Sequence, residues 1–317
     1  AYGHNEKTFR NPGFLKLVYN GIIWAVGDRV DALHAAYTMP TIKYEDAVIP
    51  NYEKRAPPPQ FQYPLTPEES MKMIQVPVGF ELNLFASEPD IHKPIHMAWD
   101  EKGRLWVAET VDYPNMVREN KKEGRDMIKI LEDTDGDGKA DKFTVFADSL
   151  NIPTSFTFVN GGIVVSQAPD FLFLKDTDGD DKADVREVIM TGWGTFDTHA
   201  GPSNLRYGPD NRIWGTVGYS SVRVPVGSDT LSYGQGLYAL TPDGKSFEWL
   251  GNTTNNTWGL GFSEDYDAFL STANNTHSAA FVIPQRYFEK ASLTTETGIE
   301  KIESHYRMHV ATKHLRQ

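Results

Sequence analysis

This chain predicts an all-β fold, a β-propeller of four-stranded blades of which residues 65–317 supply a part, and three observations carry that expectation. One hairpin unit recurs between residues 95 and 270, a second hairpin separates successive copies, and two acidic loops of one pattern sit inside those second hairpins. A β-sandwich with irregular strands is the competing architecture.

The chain opens on a different kind of element. Phe9, Phe14, Leu17, Val18, Ile22 and Trp24 recur near helical spacing over residues 8–27, with Asn11-Pro12 as a start signal and Gly27-Asp28 as a stop. Residues 38–64 follow as an extended linker rich in proline, Pro57-Pro58-Pro59 included. Thr66-Pro67-Glu68-Glu69 then reads as a short helix, with Thr66 as N-cap and Glu69 completing a capping box.

After Val76 the pattern changes to period two, with β-branched and aromatic runs punctuated by Gly, Asp and Asn. Copies of the recurring hairpin lie at residues 95–107, 156–165, 205–215 and 260–270, each an apolar strand, a tight turn and a second apolar strand. Second hairpins are expected at 127–146, 171–189 and 236–250, the last turning at Thr241-Pro242-Asp243-Gly244. Two hairpins make one blade, and closing a ring of such blades is expected to need residues beyond Gln317.

Composition limits the function. A net charge of −12 argues against a nucleic-acid partner, because phosphate contacts need a Lys/Arg surface. With no cysteine, disulfides, thiolate metal sites and haem attachment within this stretch are excluded. No run approaches the roughly 20 apolar residues of a membrane helix. The start at Ala1-Tyr2-Gly3 carries neither Met nor a leader, so the chain reads as part of something longer.

The acidic loops are Asp133-Thr134-Asp135-Gly136-Asp137-Gly138-Lys139-Ala140-Asp141 and Asp176-Thr177-Asp178-Gly179-Asp180-Asp181-Lys182-Ala183-Asp184. Carboxylates at the first, third, fifth and ninth positions, with the backbone carbonyls of Lys139 and Lys182 at the seventh, form an oxygen shell for calcium. So many carboxylates in one loop oppose one another unless a divalent ion compensates, and the lack of Cys or His disfavours zinc. Glu187 stands at the twelfth position of the second loop, where a bidentate ligand completes such a shell, while the first loop has Thr144 there. An Asp-rich solvated turn without an ion is the plainer alternative.

With the repeats and loops in hand, the chain from about Leu65 resembles the propeller domain of large planctomycete and Bacteroidota proteins of the membrane-bound dehydrogenase-like type, often joined to a haem-binding cytochrome domain. The stretches that carry this are Phe85-Ala86-Ser87-Glu88-Pro89, Trp106-Val107-Ala108-Glu109-Thr110, Asp112-Tyr113-Pro114, the two acidic loops and Gly208-Pro209-Asp210. Gly3-His4-Asn5, Phe9-Arg10-Asn11-Pro12 and Asn20-Gly21-Ile22-Ile23-Trp24-Ala25 are similar to the C-terminal end of ThuA-like α/β domains. Residues 1–37 are therefore expected to be a ThuA-like tail.

More distantly, the propeller is similar to soluble quinoprotein glucose dehydrogenases, which oxidise sugars with pyrroloquinoline quinone. There a His ahead of a Gly-Pro-Asp strand is the general base, and the matching run here is His199-Ala200-Gly201-Pro202 to Asp210. That implicates His199, histidine being the residue type suited to taking a hydroxyl proton, with Asp197 placed to orient it. Asn256 and Trp258 are carried over as cofactor-lining residues, although Asn255 stands where that family has Arg.

Two functions follow. One is a calcium-stabilised, quinone-dependent dehydrogenase acting on a carbohydrate or alcohol and feeding a cytochrome-type acceptor whose haem lies outside this chain. The other is a non-catalytic propeller that binds carbohydrate or a partner protein. Calcium loops suit the periplasm or cell surface. Trp99, Trp106, Trp193, Trp214 and Trp258 are candidate sugar-stacking platforms, Trp193 and Trp258 foremost, against the alternative that they pack between blades. His277 is a further candidate at the axial mouth.

Overall fold

The structure is a computed structural model, and it describes residues 11–27, 65–74, 76–115, 117–118, 123–226, 229–254, 256–273, 276–291 and 298–302. His4, Phe9, the proline-rich segment, Asn255, Asn274 and Asn275 lie outside the described residues. The chain divides into two compact units, Ala1–Leu82 and Asn83–Gln317.

The first unit holds two helices. In α1, Pro12–Val26, the Asn11 side chain accepts from the N–H groups of Gly13 and Phe14 at 2.8 and 3.3 Å, and Gly27 ends the helix at φ 61°. Thr66 and Glu69 exchange side-chain-to-backbone bonds at the start of α2, Pro67–Met71, so the expected capping box is present. Among the described residues no helix is long and apolar enough to cross a membrane.

The second unit is a β-propeller of four-stranded blades. Blade one is β1 (Pro94–Trp99), β2 (Leu105–Glu109), β3 (Asp126–Glu132) and β4 (Lys142–Leu150), paired in that order. Blade two repeats it with β5 (Ser155–Val159), β6 (Gly162–Gln167), β7 (Asp170–Lys175) and β8 (Val185–Thr191). Blade three takes β9 (Pro202–Tyr207) and β10 (Ile213–Val217), then leaves the sheet for a ribbon of β11 (Val222–Val226) and β12 (Asp229–Tyr233). It returns through β13 (Gly236–Leu240) and β14 (Phe247–Asn252). Blade four is β15 (Thr257–Phe262), β16 (Ala268–Thr272), β17 (Ala279–Phe281) and β18 (Ile299–Lys301), with the short helix α3, Gln285–Lys290, before its last strand. The ribbon and the outer hairpin of blade four were not foreseen from the pattern.

Every sheet is antiparallel, and the inner strands β1, β5, β9 and β15 adjoin in that order. Strands β2, β6, β10 and β13 are buried on both faces, which explains their apolar runs. In β6, Ile163 and Val165 face the core shared with blade one, whereas Val164 faces the core shared with blade three. Likewise Tyr238 and Leu240 of β13 turn to blade two, and Leu237 and Ala239 to blade four.

A polar device repeats at the turn between first and second strands. Asp100 accepts from the Trp106 indole N–H at 2.9 Å and from Arg104 at 2.8 Å; Asp210 accepts from Trp214 at 2.8 Å and from Arg212 at 2.7 Å. Both Trp rings are thus structural. Each Arg then reaches on, Arg104 to Asp181 at 2.8 Å and Arg212 to Glu248 at 2.6 Å. The first of these ties blade one to the second acidic loop.

Candidate functional site

Antiparallel succession puts the β1–β2 and β3–β4 turns at one edge of a blade and the β2–β3 connection, with the entry to the next blade, at the other. The acidic loops are β3–β4 and β7–β8 turns. A cleft of about 410 Å³ opens at the opposite edge, and all four blades line it. Ile95, Thr110 and Tyr113 come from blade one, Ile152, Pro153 and Thr154 from the entry to blade two, Thr198 and His199 from the entry to blade three, and Asn256, Trp258, Ser271, Thr272 and Ala273 from blade four. His199, Asn256 and Trp258, far apart in sequence, share this one space.

His199 is held by its neighbour. Its Nδ1 lies 2.6 Å from Asp197 Oδ1, and its own peptide N–H reaches the same oxygen at 3.3 Å. Donation of Nδ1–H to the carboxylate leaves Nε2 as the unprotonated nitrogen of the neutral ring, the arrangement a general base requires. Tyr219, which the sequence did not single out, completes the group: its hydroxyl is 2.5 Å from Asp197 Oδ2 and 3.4 Å from His199 Nε2. The bond to that carboxylate pushes the phenol's titration upward, so Tyr219 stays protonated and donates.

Backbone contacts fix the two segments against each other. Asp197 N–H donates to Ser220 Oγ at 3.1 Å, the Ser220 hydroxyl donates to Asp197 carbonyl at 2.7 Å, and Ser220 N–H donates to Ala200 carbonyl at 3.2 Å. Glycines make the approach possible: a Cβ on Gly194 would stand 1.7 Å from the Ser220 carbonyl, and one on Gly218 would stand 2.3 Å from Asn256 Oδ1. Gly218 therefore also sets Asn256 against the His199 segment.

Buried acids hold the blade-one and blade-two walls. Asp126, fully buried, accepts from the N–H groups of Asp112 and Ile152 at 2.8 and 2.6 Å, and its burial pushes its titration up. Asp112 is pulled far below the carboxylate range, first by Arg118 and then by Arg125 and Asn151. Both acids fasten segments whose next residues line the cleft. His96, on the inner strand beside Ile95, is pushed down to about 4 by burial and then by Arg206, so it is neutral at pH 7.

Of the five tryptophans proposed as platforms, Trp258 lines the cleft and Trp193 does not. Trp193 is 2% exposed and stacks on Phe171 at 4.6 Å in the core between blades two and three, so of its two readings packing between blades holds. Trp99 packs edge-on against Phe85. His277 is exposed on the β16–β17 connection, outside the cleft lining.

In the acidic loops, carboxylate oxygens of Asp133, Asp135 and Asp137 lie within 4.8 Å of one another, as do those of Asp176, Asp178 and Asp184. Asp133 is held below the usual carboxylate range chiefly by the Gly138 N–H, and Asp176 chiefly by that of Gly179. Asp141 accepts from Thr134 N–H and Oγ1 as the clustered Asp184 does from Thr177, Asp180 accepts from the Lys182 N–H as the clustered Asp137 does from Lys139, and Glu187 is exposed on β8 outside the oxygen clusters. Lys139 and Lys182 can offer only their carbonyls. Asp181 adopts the left-handed conformation, φ 63°, that Gly138 takes in the first loop at φ 86°, and its carboxylate binds Arg104. The Ala140 N–H donates to the Phe85 carbonyl at 2.9 Å and the Ala183 N–H to the Phe146 carbonyl at 2.8 Å, so the first loop is stitched to the segment ahead of β1 and the second to β4 of blade one.

Known structures align with this chain at low identity. A putative gluconolactonase is 16% identical over 69% of this chain and 63% of its own, with a TM-score of 0.42. The PQQ-bound aldose sugar dehydrogenase from Streptomyces coelicolor is 15% identical over 61% of this chain and 60% of its own, also at 0.42. The PQQ domain of pyranose dehydrogenase from Coprinopsis cinerea is 15% identical over 59% and 45%, at 0.39. The chain thus spans less than two thirds of these relatives, and the likeness concerns the fold alone. No curated protein matches the sequence. Residues 66–316 match a family model described as "Domain of unknown function (DUF7133)".

Proposed function

This chain belongs to the DUF7133 family, and we propose from the cleft that it is a sugar or alcohol dehydrogenase in which His199 is the general base and a bound quinone would supply the two-electron acceptor. The observation that supports this most is the Asp197-oriented imidazole of His199 in a cleft that all four blades line. Thr198 and Asn256 are polar lining residues, while the hydroxyls of Thr110, Thr154 and Ser271 donate to Asp126, the Pro202 carbonyl and the Trp258 carbonyl, and that of Thr272 accepts from the Thr276 N–H. His199 takes the proton of the hydroxyl being oxidised, and Asp197 stabilises the imidazolium that results.

Pyrroloquinoline quinone would be held by Trp258 and Asn256, and when bound it supplies a two-electron acceptor. The cleft volume lies in the range of cofactor sites, and Ile95, Ile152, Pro153 and Trp258 suit a planar ring. The carboxylates of that cofactor find no Lys or Arg among the described lining residues. This uncharged lining favours a second reading, a propeller that binds carbohydrate or a partner protein without chemistry. Calorimetric titration with the quinone, followed by acceptor-dye reduction over a panel of aldoses and alcohols, separates the two. Quinone-dependent reduction is expected; absent quinone binding with carbohydrate binding retained means the second reading.

Calcium in the two acidic loops belongs to the same proposal, as a brace on the edge away from the cleft, and loops of this kind suit a protein of the periplasm or cell surface. Electrons would pass to a cytochrome-type partner. For one site at 100-fold excess over its Kd, removal of the ion costs about 2.7 kcal/mol, or about 5–10 °C of melting temperature for a domain of this size. Chelator is expected to lower the melting temperature that much, and an unmoved midpoint means the loops are ion-free turns.

A further inference from the structure

We propose that Tyr219 is a positioning residue for His199: its phenol ties down the second oxygen of Asp197 and stands opposite Nε2, so that one carboxylate serves both nitrogens of the ring. This rests on the reading of His199 as the base. A phenol has one proton, and the distances say where it goes, 2.5 Å to Asp197 Oδ2 against 3.4 Å to His199 Nε2. Toward Nε2 the phenol therefore presents a lone pair. When Nε2 takes up a proton from a hydroxyl in the cleft, the phenol oxygen is a ready acceptor within reach, while its own proton stays on Asp197.

The second consequence is mechanical. Asp197 Oδ1 is committed to His199 through Nδ1 and the peptide N–H. The Asp197 side chain is 26% exposed, so without Tyr219 its other oxygen turns to water and the carboxylate is free to rotate about its last bond. The ring it holds, 46% exposed, would then swing with it. Tyr219 is itself fixed, since Gly218 before it lies against Ala200 and Ser220 after it is doubly bonded to Asp197. Preorganisation of this kind, a supporting residue that locks the rotamer of a reacting group, is what catalytic precision depends on.

The test uses the full chain and Tyr219→Phe, which keeps the ring and removes the hydroxyl, so the melting temperature is expected to hold. In the unsubstituted protein the His199 Nδ1–H is expected as a slowly exchanging, downfield NMR signal, and in Tyr219→Phe that signal is expected to be lost to exchange with water. Persistence of the signal unchanged overturns the proposal. Where turnover is measurable, kcat is expected to fall about tenfold with KM within about twofold. Because Tyr219 acts through Asp197, Tyr219→Phe is expected to add nothing in an Asp197→Asn background, and losses that multiply independently overturn it. The NMR measurement needs neither substrate nor quinone. Inactivity on every sugar with the signal lost as expected therefore sinks the reaction and leaves Tyr219's role standing.

Discussion

Replacing His199 with Gln is expected to lower kcat/KM by about 10²–10⁴, the range that loss of a general base produces, while leaving stability and ligand binding close to unchanged. Gln keeps a polar group of similar reach but has no nitrogen that can accept a proton and release it near neutral pH. Its burial loss is small, because His199 is half exposed and makes no core contact. The half-exposed hydrogen bond to Asp197 that it gives up is worth about 1 kcal/mol. Steady-state kinetics with an artificial acceptor, paired with calorimetry for the cofactor, separate the two effects. Turnover that survives in His199→Gln moves the base elsewhere; unchanged carbohydrate binding with no turnover in either protein points to the non-catalytic propeller.

Trp193→Ala carries the largest stability loss expected here, about 3–5 kcal/mol. The indole is 2% exposed, lies parallel to Phe171 at 4.6 Å and 11°, meets Tyr238 at 4.6 Å and touches Phe247 edge-on. These rings belong to the core that joins blades two and three, so a cavity there cannot be filled by one strand shifting. Against a net stability of about 5–15 kcal/mol, the loss takes a large fraction of the whole. Trp193→Phe is expected to cost far less: it keeps a ring on Phe171 and removes an indole N–H that is buried with no hydrogen-bond partner among the described residues. Urea denaturation measures both. A near-neutral Trp193→Ala would mean the side chain is a surface platform after all.

That contrast between Trp193 and Trp258 shows where the sequence could and could not speak. Both stand beside a glycine, both are near His199 in the expected fold, and nothing in their local pattern separates them. Trp258 begins an inner strand, whose end opens on the cleft; Trp193 follows an outer strand and is drawn into the seam by the β11–β12 ribbon, where it bridges to Val222. Only the packing of the ribbon decides this. The ribbon itself was hidden because a two-stranded insertion has the same alternation as the blade strands around it.

Repeats, turns and caps act over a few residues, so the blade pattern, the capping box at Thr66, the acidic loops and the His199–Asp197 pair could all be read along the chain. Tyr219 could not, for its place beside His199 depends on a turn 20 residues away in sequence being pressed onto the His199 segment through Gly194 and Gly218. The same holds for Arg104 meeting Asp181 and for Asp126 reaching Ile152. Side-chain chemistry and local periodicity travel with the amino-acid order; which distant groups share one low-dielectric space is set by how blades stack. That stacking belongs to the folded molecule.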